Sequence, residues 1–306
     1  MSSAIELKSS TLSASINLRG AEITRLTDQA SGKEFMWSGD PGIWSGIAPV
    51  LFPIVGALKD ETYHAKGGTY HLQRHGFARV SDFAVTGQSA DQVQMTLASS
   101  TESLALYPWK FQLDIIFQLT VDALRVTYQV ANQDSDTMLF NLGSHPAFRL
   151  PGVVSGTSAI SDYAIRFNKN EDLNSYRLAD NLILPERHLQ TLDQGLMPLS
   201  STIFDNDALI FLNIQSDRIS LVKTNNTNQT GNVKGELNSC ITVDTGGAPH
   251  LGIWAKPAAP YVCIEPWWGY ADFNNSTGEL SEKASIQMLE PGERFEHTLS
   301  ILLLQN

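Results

Sequence analysis

Leu124-Arg125-Val126-Thr127-Tyr128-Gln129-Val130 alternates apolar with polar side chains along its whole length. Successive side chains of a strand point to opposite faces, so this stretch predicts a strand with one buried face. The same period of two runs through Ser13-Ala14-Ser15-Ile16-Asn17-Leu18-Arg19 and Val93-Gln94-Met95-Thr96-Leu97. Apolar runs at residues 111–119, 137–142, 208–211, 219–222, 250–254, 261–264 and 295–304 predict further short strands. Turn residues separate them: Ser31-Gly32, Lys66-Gly67-Gly68, Asn132-Gln133-Asp134-Ser135-Asp136 and Thr245-Gly246-Gly247. Gly67-Gly68 between two short runs predicts a hairpin.

Helical signals are brief. Residues 100–106 predict a short helix capped by Ser100 or Thr101, and residues 279–284 a single turn. The Asn/Thr-rich residues 224–230 read as an exposed loop. Many short strands without alternating long helices predict an all-β antiparallel sandwich. No repeat, low-complexity segment or linker divides the chain, so residues 1–306 are expected to form one domain.

Composition narrows the function classes. With 42% hydrophobic and 17% charged residues, the chain of 306 can bury a large core and is not of the disordered class. Its net charge of −11 repels nucleic acid and anionic lipid, so neither is an expected partner. No apolar run is long enough to span a bilayer. The N-terminus lacks the basic-then-apolar order of a signal peptide, and a cytoplasmic location is expected. Cys240 and Cys263 make no disulfide framework.

Three segments depart from the strand pattern. Leu51-Phe52-Pro53-Ile54-Val55-Gly56-Ala57-Leu58-Lys59-Asp60 is followed by Arg74-His75-Gly76-Phe77-Ala78-Arg79. Gly143-Ser144-His145-Pro146-Ala147-Phe148 is the second, and Cys263-Ile264-Glu265-Pro266-Trp267-Trp268-Gly269 the third. Each sets an ionisable group beside Gly or Pro and an aromatic ring. Glu265 follows an apolar run and so stands at the expected end of a buried strand. Burial would raise its pKa toward the range of a general base, or the carboxylate could instead pair with Arg74 or Arg79. His145 and His75 are each either proton donors near neutral pH or structural histidines. Trp267, Trp268, Trp37, Trp44 and Trp254 offer flat apolar faces suited to sugar C–H patches, or core filling. The histidines and cysteines show no close ligand spacing, so no metal is expected.

Taken together, the three segments resemble the aldose 1-epimerase (galactose mutarotase) family, in its bacterial form with His-Gly-Phe-Ala-Arg, here His75 to Arg79. The likeness extends from Leu7 to about Leu304 and implies a galactose mutarotase-like β-sandwich. It implies a cofactor-independent isomerase that interconverts the α and β anomers of a free hexose. Glu265 would be the base at the C1 hydroxyl, His145 the acid at the ring oxygen, and His75 a polarising hydrogen-bond partner. Asp207, or alternatively Asp205, would bind substrate hydroxyls, with Arg74, Arg79 and Trp267 also at the sugar. Ala57 stands where many members of the family have Arg, and Arg74 is the expected replacement. Arg74, Arg79 and Lys59 together would suit a hexose 6-phosphate, the alternative substrate. A non-catalytic carbohydrate-binding protein, or a glycosidase using Glu265 with Asp205 or Asp207, are the other readings. The sequence leaves the oligomeric state open.

Overall fold

The computed structural model describes residues 4–303 except 157, 191, 193 and 225–236. Residues 225–230 of the expected loop and the last residue of the run 295–304 lie outside the described residues. Two large antiparallel sheets dominate. The larger has nine strands in the order Leu196–Pro198, Tyr163–Phe167, Arg218–Thr224, Leu237–Asp244, Arg294–Leu302, Ala123–Asn132, Phe111–Leu119, Gln92–Ala98, Ala84–Gln88. The stretch that alternates so cleanly, 124–130, is central: it pairs with Phe111–Leu119 on one side and Arg294–Leu302 on the other.

The second sheet holds eight strands. Its path runs His188–Gln190, Leu173–Tyr176, Leu209–Leu212, His250–Trp254, Tyr261–Trp268, Leu142–Ser144, Val50–Leu51, with Ala147–Arg149 also paired to Tyr261–Trp268. Period two decides which way its side chains go. Leu209 and Phe211 join the core shared with the larger sheet, where Leu113, Ile115, Val126 and Val130 also lie. Ala208 and Ile210, on the opposite face, pack with Leu51, Val55, Tyr176, Ile183, Trp267 and Ala271 in a second apolar cluster. This sheet is therefore covered on both faces. Each fully buried large apolar side chain contributes about 1.5–3 kcal/mol.

That double burial corrects one expectation. Strand Tyr261–Trp268 is buried along its entire length and does not stop at Ile264. A strand buried on both faces reads as a continuous apolar run. Glu265 sits inside this strand, not at its end, and Pro266 follows it within the strand. The proline is accommodated because the partner strand is interrupted. Leu142 and Gly143 pair with Trp268 and Trp267, Ala147 pairs with Cys263, and His145-Pro146 fills the break between them. Positions opposite the break need no ladder donor on that side.

Other local expectations agree with the structure. A helix spans Thr101–Leu106, with Ser100 as N-cap accepting from the Ser103 N–H. Thr62–Ala65 and Gly68–His71 form the hairpin around Gly67. The turn expected at 279–284 is a 3-10 helix at Leu280–Glu282.

Candidate active site

His145 and Glu265 meet because one fills the strand break and the other lies on the neighbouring strand. His145 Nε2 is 3.2 Å from Glu265 Oε2. His75 arrives from a separate segment, its ring centroid 5.8 Å from that of His145 in an edge-on arrangement. His75 adopts φ 70° and Gly76 φ 67°. At Gly76 a Cβ would lie 2.3 Å from the Phe52 carbonyl oxygen, so only glycine fits where this turn crosses the cis Phe52-Pro53 segment. The reverse turn aims the His75 ring into the cavity. Its Nδ1 accepts from the Gly56 N–H at 3.1 Å, and the backbone N–H of His75 donates to the Gly56 carbonyl at 2.8 Å.

The cavity is lined by Val55, Gly56, Arg74, His75, His145, Leu178, Asn181, Ala208, Ile210, Trp254, Glu265, Trp267 and Ala271. Trp267 is held flat by close backbone approach: a Cβ on Gly252 would lie 2.4 Å from its ring. Its Nε1 has no hydrogen-bond partner among the described residues, nor has His145 Nδ1. His250, by contrast, is fully engaged. Nδ1 accepts from the Asn213 N–H and Nε2 faces Ser285 Oγ, which marks it as a structural histidine.

Electrostatics follow from burial. Trp44 and Trp254 pack against the His145 ring at centroid distances of 5.2 and 5.7 Å. Desolvation, with the positive charges of Arg74 and Arg79 adding to it, pushes the His145 imidazole down to about 3. Burial likewise holds His75 well below the usual histidine range, reinforced by Arg74, His145 and Arg79. Glu265 is pushed well above the usual carboxylate range by burial, with Asp207 raising it further against the opposing pull of Arg74. Burial thus opposes charge on both members of the pair. Both shifts favour the neutral forms, carboxylic acid beside imidazole.

The remaining expected site residues divide. Arg74 lines the cavity, with Nη1 donating to Asn181 Oδ1 at 2.7 Å and standing 4.0 Å from Asp207 Oδ2. Asp207 lies at the rim behind Arg74, whereas Asp205 is exposed on the preceding turn. Arg79 is not among the lining residues, and Lys59 points its Nζ toward the Ser276 carbonyl at 3.5 Å. The expected cluster of three basic residues does not form at the cavity; the fold brings only Arg74 to it, because the turn at Gly76 sends the following residues behind the wall.

Asn181, which nothing in the local sequence singles out, is a lining residue. It sits at positive φ in the turn between Leu178–Ala179 and Leu182–Ile183 and anchors Arg74. Arg74 also creates a conflict. Its Nε–H is directed at His75 Nε2 at 3.1 Å while the Gly56 N–H occupies Nδ1. A neutral imidazole accepts at only one nitrogen. With Nδ1 fixed by the backbone, the ring proton belongs on Nε2, where it opposes the Arg74 donor. An oxygen that draws the Arg74 Nε–H away from His75 Nε2 would accept from both.

One group of metal-type donors exists among the described residues: His145, Cys263 and Glu265, with ligand atoms within 4.8 Å of one another. Sequence spacing could not show it, because the three meet only across the strand break. Cys263 is fully buried and does not line the cavity, so the thiol is walled off from an entering ion.

The fold and this site define a class: an antiparallel β-sandwich carrying a buried carboxyl–imidazole pair and a second histidine in a cavity on one sheet. The sequence profile of the aldose 1-epimerase family matches residues 3–302, and the chain belongs to that family. It is 32% identical to a galactose mutarotase related enzyme from Lactobacillus acidophilus, with a TM-score of 0.89 over 99% of this chain and 98% of that one. A galactose mutarotase-like protein from Lactobacillus casei is 28% identical, with a TM-score of 0.86 over 99% of this chain and all of that one. The chromosomal LacX protein of Lactococcus lactis is 27% identical over 98% of this chain and 99% of its own length.

Proposed function

We propose that the protein is an aldose 1-epimerase that interconverts the α and β anomers of a free hexose. The observation that carries this reading is the 3.2 Å approach of His145 Nε2 to Glu265 Oε2 in a cavity shared with His75. Mutarotation needs one group to take the O1 proton and another to give a proton to the ring oxygen. In the reactive state the carboxylate of Glu265 takes the O1 proton. Electrons from O1 form the C1 carbonyl, the C1–O5 bond breaks, and O5 takes a proton from the imidazolium of His145. Rotation about C1–C2 turns the other aldehyde face to O5. Ring closure then returns one proton to His145 and the other to O1.

The pair can enter this state without exchanging protons with solvent. Carboxylic acid beside imidazole and carboxylate beside imidazolium hold the same number of protons. Sugar hydroxyls bonded to the two groups replace the lost hydration and favour the charged form. His75 Nε2–H and Arg74 Nε–H supply two donors to one ring or hydroxyl oxygen. Trp267 gives an apolar face and an unpaired indole N–H. A single arginine at the cavity favours a neutral sugar over a hexose 6-phosphate. The reading requires no cofactor and places the chemistry in a cytoplasmic sugar-utilising enzyme.

Polarimetry of freshly dissolved α-D-glucose and α-D-galactose tests the reading. The protein accelerates the approach to equilibrium. Glu265→Gln lowers the rate by about 10²-fold or more while leaving the melting temperature near that of the parent. Unchanged acceleration in that variant rejects Glu265 as the base. Tight sugar binding without acceleration in the parent favours a binding protein.

A further inference from the structure

Asp272 and Lys283 form a buried ion pair that the reaction does not use. Lys283 Nζ donates to Asp272 Oδ1 at 2.6 Å, and each side chain is 4% exposed. A buried pair of this kind is weak evidence for stability, because desolvation offsets the attraction. The remaining bonds of Asp272 suggest another purpose. Its Oδ2 accepts from the Lys59 N–H at 3.0 Å, and its own N–H donates to the Ala57 carbonyl at 2.9 Å. The carbonyl of Asp272 accepts from the Ile183 N–H at 2.8 Å.

Two arms therefore leave this one residue, and only the first favours a ring proton on Nε2. The first clamps residues 57–59 and so fixes Gly56, whose N–H meets Nδ1. The second holds the hairpin that ends at Ile183, whose turn carries Asn181, which in turn holds Arg74 against Nε2. The neighbouring Ala271 lies on the cavity wall. We propose that Asp272, charge-balanced by Lys283, is a positioning residue that sets the tautomer of His75 from behind the cavity wall, by holding the Gly56 N–H against Nδ1. Its consequence for turnover rests on the mutarotase reading, but its effect on the imidazole does not.

Three variants separate positioning from folding. Asp272→Leu with Lys283→Met removes both charges and leaves the Lys59 N–H without an acceptor. Asp272→Asn with Lys283→Met retains an oxygen for that N–H. Lys59→Pro deletes the donor itself and sets its ring Cδ against Asp272 Oδ2. Leu58 is already extended, at φ −91° and ψ 152°, as a residue before proline must be. Nitrogen-15 spectra of the His75 ring report the tautomer directly, beside melting temperature and kcat/KM.

The parent shows a single Nε2–H tautomer. The Leu/Met pair and Lys59→Pro give mixed tautomers and a kcat/KM lower by roughly tenfold to a hundredfold. The Asn/Met pair restores both. A parent-like tautomer and kcat/KM within about twofold in Lys59→Pro overturns the proposal and makes the ion pair purely structural. Should the Leu/Met pair fail to fold, Lys59→Pro decides alone. Should the parent accelerate no sugar, the tautomer still decides, so failure of the mutarotase reading is distinguishable.

Discussion

Burial favours neutral forms of His145 and Glu265, and on the mutarotase reading the direction of each shift predicts the pH profile. Activity is lost on the acid side when the pair takes a second proton. Burial moves that event far below the ordinary imidazole value, with His145 itself pushed down to about 3. Activity is lost on the alkaline side when the pair loses its proton, and burial moves that event well above the ordinary carboxylate value. We expect kcat/KM to stay level through neutral pH and into mild acid. A limb centred near 6.5, as for an exposed imidazole, would contradict the geometry. Arg74 gives a second prediction at this scale. On the mutarotase reading, Arg74→Ala removes a cavity donor available to a substrate oxygen. We expect KM to rise by about tenfold, the worth of roughly 1.4 kcal/mol, with kcat changed less. It also removes the charge that opposes the raised pKa of Glu265, so the alkaline limb moves to higher pH.

At the scale of elements, the turn at His75-Gly76 is where local geometry is least replaceable. Gly76 and Gly67 have nearly the same φ, 67° and 72°, yet a Cβ at Gly67 meets nothing within 4 Å. Gly67→Ala is expected to cost about 1 kcal/mol from backbone preference alone. Gly76→Ala adds a clash with the Phe52 carbonyl and should cost about 3 kcal/mol or more, with loss of activity as His75 is displaced. Paired thermal melts measure the difference; equal costs would mean that the turn yields. Elements of this kind also show how far the sequence can be read. Alternation identified residues 124–130, and the cap at Ser100 identified the one α-helix among the described residues, because both signals are local. The end of strand Tyr261–Trp268 was not legible, because proline argues for a boundary and only the break at His145-Pro146 removes that argument. The three histidine and glutamate segments stood out by composition. Asn181 and Asp272 did not, since each is an ordinary polar loop residue whose role comes from partners far along the chain. The same cause misplaced Arg79: adjacency to His75 in sequence does not survive a reversal of chain direction at Gly76.

Across the whole molecule, His75, His145 and His250 are buried in neutral form, with His250 pushed down to about 4 by burial. Each gains a proton on unfolding at any pH below its ordinary value of 6.5 and above its folded one. Stability therefore falls as pH drops from about 6.5, and the contribution of His250 is fully lost near 4. Glu265 acts in the opposite sense. Its raised pKa makes the folded state the better proton binder above about 4.5, offsetting one of the three imidazoles. The net uptake of protons on unfolding makes stability fall toward acid between about 4.5 and 6. Calorimetric melting across that interval should show a steep, monotonic fall toward acid. A flat profile would mean that the histidines are accessible to solvent protons in the folded state.

The interrupted strand at His145-Pro146 has a consequence for how the molecule acquires its activity. The imidazole and the carboxyl are brought together by ladders between segments distant in the chain, and His75 comes from a third. Such closures are slow, because the entropy of bringing the ends together is lost before the contact gains anything. A half-assembled ensemble with most of its ladders in place would therefore still be inert. Return of turnover during refolding marks the moment at which the smaller sheet completes, later than signals that report only backbone pairing.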